Sequence, residues 1–167
     1  MRRFRRETAE RSPVTLTPMP HPIMFRDDDF GLAEVRKIAL GFPEAFEKIS
    51  WGRPVFCAPK MFVMFGGSAK SFPGRSAPAR GTTDRRGEYL QYPYSILVKV
   101  DESDRKALEQ DSRFFYPAYM GPFGWLGLDF TAKKKVDWDE VRELVDASFR
   151  LIAPKKLIKQ LDDSLTR

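Results

Sequence analysis

A chain of 167 residues, 42% hydrophobic and 31% charged, has the length of one domain and the composition of a soluble globular protein. Its single cysteine, Cys57, excludes an internal disulfide and fits a reducing, cytoplasmic setting, and no apolar run approaches the about 20 residues of a membrane span. The net charge of +6 is unevenly spread: residues 1–22 carry five Arg against Glu7 and Glu10, residues 66–93 carry Lys70 and four Arg against Asp84 and Glu88, and these two stretches hold the whole surplus.

Residues 1–22 read as a flexible basic arm, because Pro13, Pro18, Pro20 and Pro22 forbid a helix. The arm holds His21, the chain's one histidine. One His and one Cys cannot assemble the usual zinc tetrad, and a His-based triad would have to be built from this arm. Residues 23–167 read as a single domain. A first helix is expected over Asp29–Leu40, with Asp27, Asp28 and Asp29 as cap candidates and Leu32, Val35, Ile38 and Ala39 on its apolar face. Gly41 and Pro43 end it.

Three strand-like runs follow, Ala45–Trp51, Pro54–Ala58 and Met61–Phe65, separated by turn residues. The last is wholly apolar and suits a strand covered on both faces. Residues 66–93 are rich in Gly, Ser, Pro and Arg and read as a mobile insertion, with Tyr89, Tyr92 and Tyr94 near its exit. Ser95–Val100 is a strand, and Glu102–Gln110 a short helix with Ala107 and Leu108 inward.

The aromatic stretch Asp111–Phe130 reads as strand, shaped loop, strand over 113–116, 117–123 and 124–130. Phe114, Phe115 and Trp125 are read as core anchors, since large rings bury much apolar area. The bend Tyr119-Met120-Gly121-Pro122 is the place for a binding residue. Lys133–Lys135 reads as a solvated turn. A helix is expected over Trp138–Ile152, opened by the capping-box pair Asp137 and Glu140 and stopped by Pro154. Lys155–Leu165 reads as a final amphipathic helix. Short joints between consecutive strands imply antiparallel pairing, so the fold class is α+β: a two-layer sandwich, an antiparallel sheet with helices packed on one face.

Several short motifs stand in one order: Trp51-Gly52-x-Pro54-x-Phe56, Lys60-Met61-Phe62, Asp111-x-Arg113-Phe114-Phe115, Pro117-x-Tyr119-x-Gly121, Gly124-Trp125, Val136-Asp137-Trp138 and Ser148 through Lys155. Together they resemble the MmcQ/YjbR family over about Asp28–Leu161. The resemblance implies a CyaY-like (frataxin-like) "double wing" fold and carries the family's label of DNA-binding protein. Phe149 stands where the family usually has Tyr, and the 66–93 insertion is longer than in the shorter members. A frataxin-like iron role would need an acidic patch, and Asp27–Asp29 is a short run better explained as a cap.

No phosphate loop, paired metal ligands or dinucleotide fingerprint is present in the sequence, so a non-enzymatic binding protein without cofactor or metal is expected. Two readings stay open. One is binding of DNA or another nucleic acid by the Arg-rich stretches, with Phe4, Phe72, Tyr89 and Tyr92 to stack on bases. The other is a pocket for a small anionic ligand or a protein, edged by Trp51, Arg53, Lys60, Tyr119 and Trp125, with Arg150 and Lys155 at the exit of the long helix. That pocket requires the Tyr119 bend, Trp51 and Arg150 to meet in space.

Overall fold

A computed structural model describes residues 21–70, 82–83 and 89–167. The basic arm lies outside the described residues apart from His21 and Pro22, and so do residues 71–81 and 84–88 of the expected insertion. In chain order the elements are α1 (Leu32–Ala39), β1 (Phe46–Ser50), β2 (Arg53–Cys57), β3 (Met61–Lys70), β4 (Thr82–Thr83) and β5 (Tyr89–Lys99). Then come α2 (Glu102–Glu109), β6 (Phe114–Phe115), β7 (Trp125–Asp129), α3 (Trp138–Ile152) and α4 (Lys155–Leu165). The strands form one antiparallel sheet in the order β1-β2-β3-β5-β7-β6, with β4 beside β5. The domain is α+β, as the hairpin-forming joints predict.

Two boundaries depart from the sequence expectation. The stretch 66–93 is not loop at its ends: β3 runs on to Lys70 and β5 begins at Tyr89, with Lys70 opposite Tyr89. The register jumps between Phe65, opposite Ile96, and Gly67, opposite Tyr92. Three residues of β5, Pro93, Tyr94 and Ser95, thus stand opposite Gly66 alone; the glycine pair that reads as a loop lies at this irregularity in a long ribbon, and Ala69, Leu90 and Tyr92 beyond it are buried. At the other boundary, α1 starts at Leu32 with Gly31 before it at φ 86° and no side-chain cap. The three aspartates are engaged elsewhere. Asp28 pairs with Arg26 at 3.0 Å, Asp27 with Arg36 at 2.9 Å, and Asp29 Oδ2 accepts from Arg26 N at 2.9 Å. In α2 no residue is buried, and Ala107 faces solvent instead of lying inward.

Side chains alternate across the sheet. Phe56, Val63 and Val98 lie on one face and meet α1, α3 and α4 through Leu32, Val35, Val141, Val145, Phe149 and Leu157. A second irregularity, a β-bulge, adds to this core. Phe56 is opposite Val63 but Cys57 is opposite Met61, so Phe62 is the extra residue and joins Val63 on the helical side. Val55, Met64, Leu97, Phe115 and Trp125 form a smaller cluster on the opposite face, where the rings of Tyr92 and Phe115 stack at 4.0 Å.

One polar side chain joins α3 to the sheet. Ser148 is fully buried; its hydroxyl donates to Phe62 O at 2.6 Å and accepts from Lys99 N at 2.9 Å. The bulge carbonyl and the end of β5 are thus both satisfied from one helix residue. Asp137 caps α3, accepting from the backbone N–H of Asp139 and of Glu140. Glu140 does not complete the capping box, because its carboxylate is taken by Arg113 at 2.6 Å. Arg113 also holds Asp111 at 2.6 Å.

Ser148→Ala leaves two buried backbone groups unpaired and is expected to cost about 1–3 kcal/mol in urea unfolding. A loss under about 0.5 kcal/mol would show that these groups do not depend on the hydroxyl. Hydrogen bonds from Arg113 hold the Asp111 carboxyl at about 2, below its ordinary 3.8. The unfolded chain takes up the proton first, so this stabilisation is complete above 3.8 and fades as pH falls toward about 2. Asp111→Asn is expected to flatten the acid limb of the stability–pH curve, and an unchanged limb would refute the assignment.

Candidate ligand-binding site

The joint between β1 and β2 is Trp51-Gly52, with φ of 52° and 75°. A two-residue hairpin turn of the I′ type needs φ > 0 at both positions. Glycine takes it freely, whereas a bulky residue there is a true outlier. The segment before α1 runs beside this turn: Met24 N donates to Gly52 O at 2.9 Å. His21, Met24 and Trp51 accordingly stand together.

A second irregular segment arrives from the loop between β6 and β7. Ala118 N donates to Ser68 O at 2.7 Å, which docks the loop on β3. Tyr119 follows at φ 64°, its ring stacked on Tyr89 at 5.8 Å and the two hydroxyls 2.8 Å apart. The loop closes with a turn of 3₁₀ helix over Gly121–Phe123. Phe123 and Tyr119 both point to solvent, so these two rings of the aromatic stretch are not core, while Phe115 and Trp125 are.

Arg53 opens β2 and shares the parity of Val55, which places it on the face opposite the core helices. It is only 5% exposed. Its Nη2 donates to Gln91 Oε1 at 3.1 Å, but Nη1 is buried with no partner. Among the described residues it has no ion pair. Burial therefore pulls its pKa below the ordinary value, and the more distant Asp29 opposes this only in part. Gly66, at φ 74°, leaves the space in which the guanidinium lies; a β-carbon there would collide with Nη1.

Between these elements is an open cavity of about 350 Å³. The sheet contributes Met64, Gly67 and Leu97; Trp51 and Met24 form one part of the wall and Ala118, Tyr119 and Met120 another. His21, Arg53, Gln91 and Ser68 supply the polar part. Of the seven residues singled out in the sequence, the cavity brings together Trp51, Arg53 and Tyr119. The other four lie elsewhere. Trp125 is buried in the second cluster and Lys60 is exposed in the β2–β3 turn. Lys155 is exposed at the start of α4. Arg150 pairs with Asp146 at 2.9 Å and Asp162 at 2.8 Å, joining α3 to α4. The pocket drawn from the sequence, with Arg150 beside Trp51 and the Tyr119 bend, does not form; α3 lies across the other face, and Asp146 of α3 and Asp162 of α4 occupy Arg150.

Gln91 and Ser68 were hidden by composition, since both fall in the stretch that reads as an insertion. The alternation of Leu90 and Tyr92 around Gln91 is the signal that could have shown a strand there. Among the described residues no group of His, Cys, Asp and Glu could hold a metal ion, and Cys57 is buried with its thiol pushed up by desolvation. No helix of the described residues is long and apolar enough to cross a membrane.

The antiparallel sheet and the helical layer on one face define an α+β domain, with the cavity on the other face. The YjbR family model matches residues 40–151, more than half of the chain, and the chain belongs to the YjbR family. That span includes every cavity residue except His21 and Met24. No curated protein and no solved structure matches the chain. Phe149, where the family resemblance anticipates Tyr, is fully buried against Phe42 and Phe62, at 5.0 and 5.2 Å between ring centroids.

Gly66→Ala sets a β-carbon into a left-handed backbone and against Arg53, and is expected to cost about 1–3 kcal/mol. Much of that cost should vanish when Arg53→Met is added, because the colliding atom is gone; strictly additive unfolding energies would contradict the contact.

Proposed function

We propose that this domain binds a small anionic ligand in the cavity, with Arg53 as the partner of the anion. The observation that carries this is the buried guanidinium with one unpaired nitrogen and, among the described residues, no ion pair. A charge in that state weakens the free fold, and an anion in the adjoining cavity removes the penalty. An apolar wall with a few convergent polar groups is the usual build of a small-molecule site. The reading is non-enzymatic: the lining holds Arg53, His21 and Ser68, and among the described residues no hydrogen bond pairs His21 with Ser68.

The Arg-rich stretches favour a second reading, binding of DNA or another nucleic acid through phosphate contacts. It does not use the cavity, where the one Arg is recessed. Affinity for a random duplex would then fall steeply with salt, and absence of binding at about 50 mM salt removes this reading.

For the anion site the probes are octanoate and 2-naphthoate against octylamine and 2-naphthylmethylamine in thermal-shift and calorimetric titrations. Carboxylates should stabilise the protein and their matched amines should not. Arg53→Met is expected to weaken carboxylate binding at least about tenfold, and to raise the stability of the free protein by about 1 kcal/mol or more. Neither carboxylate outperforming its amine would sink the proposal, as would Arg53→Met binding both as well as the parent.

A further inference from the structure

The cavity has a feature that anion binding alone does not require. Three described non-glycine residues have positive φ, namely Glu44, Trp51 and Tyr119, and both aromatic ones line this cavity. A left-handed backbone costs a residue with a β-carbon about 1–2 kcal/mol. Core burial does not offset that here, because Trp51 is 55% and Tyr119 76% exposed. The contrast with Trp125, buried on an ordinary strand, is direct. A type I′ turn favours Asn before Gly, so at Trp51 the free fold would gain from a smaller residue. Strain that the surrounding structure maintains is characteristic of ligand clamps.

We propose that the ligand is a monocarboxylate bearing a flat ring system, with its ring clasped by Trp51 and Tyr119 and its carboxylate directed to Arg53. The proposal rests on the anion-binding reading above and specifies its ligand. Aromatic walls favour a planar, ring-bearing body over a flexible chain, because offset-stacked and edge-on ring contacts add to plain area burial. Met24, Met64 and Met120 add to the apolar lining beside Leu97 and Ala118, and thioethers make favourable contacts with ring edges. Arg53 is the one Lys or Arg of the lining and balances one negative charge, with His21, Gln91 and Ser68 as the neutral polar residues beside it. A cavity of about 350 Å³ lies at the small end for ligand sites and suits roughly one or two fused rings.

The test compares 2-naphthoate with octanoate on the full chain by calorimetry, in the parent, Trp51→Asn and Tyr119→Asn, with Tm recorded for each. The parent should bind 2-naphthoate about tenfold more tightly than octanoate. Each variant should lose about tenfold in 2-naphthoate affinity and less than about twofold in octanoate affinity, the tenfold figure corresponding to about 1.4 kcal/mol. Trp51→Asn should also raise Tm, since it relieves the turn. Equal affinity for the two carboxylates, or parallel losses in the variants, overturns the ring-bearing ligand while leaving the anion site intact. A lower Tm for Trp51→Asn would place the ring among the contacts the fold needs and overturns the clasp. Absence of binding by both carboxylates overturns the anion site and the clasp together.

Discussion

The buried hydroxyl of Ser148 is the contact on which the arrangement of sheet and helices turns. It joins the carbonyl of Phe62 on β3 to the N–H of Lys99 on β5, two neighbouring strands, from the middle of α3. The Phe62 carbonyl needs this partner because the bulge has taken it out of the ladder's regular register. The same bulge turns Phe62 toward the helices, where it meets Phe42 and Phe149. Polar satisfaction and ring packing thus fix the same helix against the same strand, which is the consistency expected of a specified fold.

With the core helices committed to one face, the other is left to small devices. A two-residue turn, a docked loop and the segment around Met24 build the cavity wall over Met64 and Leu97. Each device departs from regular geometry: positive φ at Trp51 and Tyr119, and an irregularity at Gly66 that admits the Arg53 side chain. Irregular backbone and an uncompensated charge both weaken a free fold, and here they coincide in one place. The cations elsewhere are spent differently. Arg36, Arg113 and Arg150 each hold two carboxylates, tying elements together.

Local signals were enough for the class and for most elements. The 3.6-residue spacing of Val141, Val145 and Ser148 with the Asp137 cap placed α3 at its observed ends, and Lys155–Leu165 was legible as a helix from Leu157 and Leu161. The apolar run at Met61 announced a central strand. Trp51, Arg53 and Tyr119 could be picked out because turn chemistry, an Arg beside a Pro and an aromatic bend are all visible along the chain. Ser148 looked like an apolar-face position, and nothing local distinguishes a serine facing a core from one bridging two strands.

What the sequence determined by itself was therefore the α+β class and the residues that sit at turns, which follow from short-range propensity and periodicity, and the family, which its ordered motifs resemble. Only the tertiary structure decided which arginines are held by carboxylates and that the buried Arg53 has no ion pair among the described residues. Arg53 and Arg150 look alike in the chain, yet Arg150 has Asp146 one turn away and Asp162 across from it, while Arg53 is buried with Gln91 as its hydrogen-bond partner among the described residues. That difference depends on β3 lying between β2 and β5, so that Arg53 reaches Gln91, 38 positions on in the chain, across the glycine-rich part of β3. Composition cannot report it, because the energy of a charge is set by what surrounds it in space and not by its neighbours in the chain.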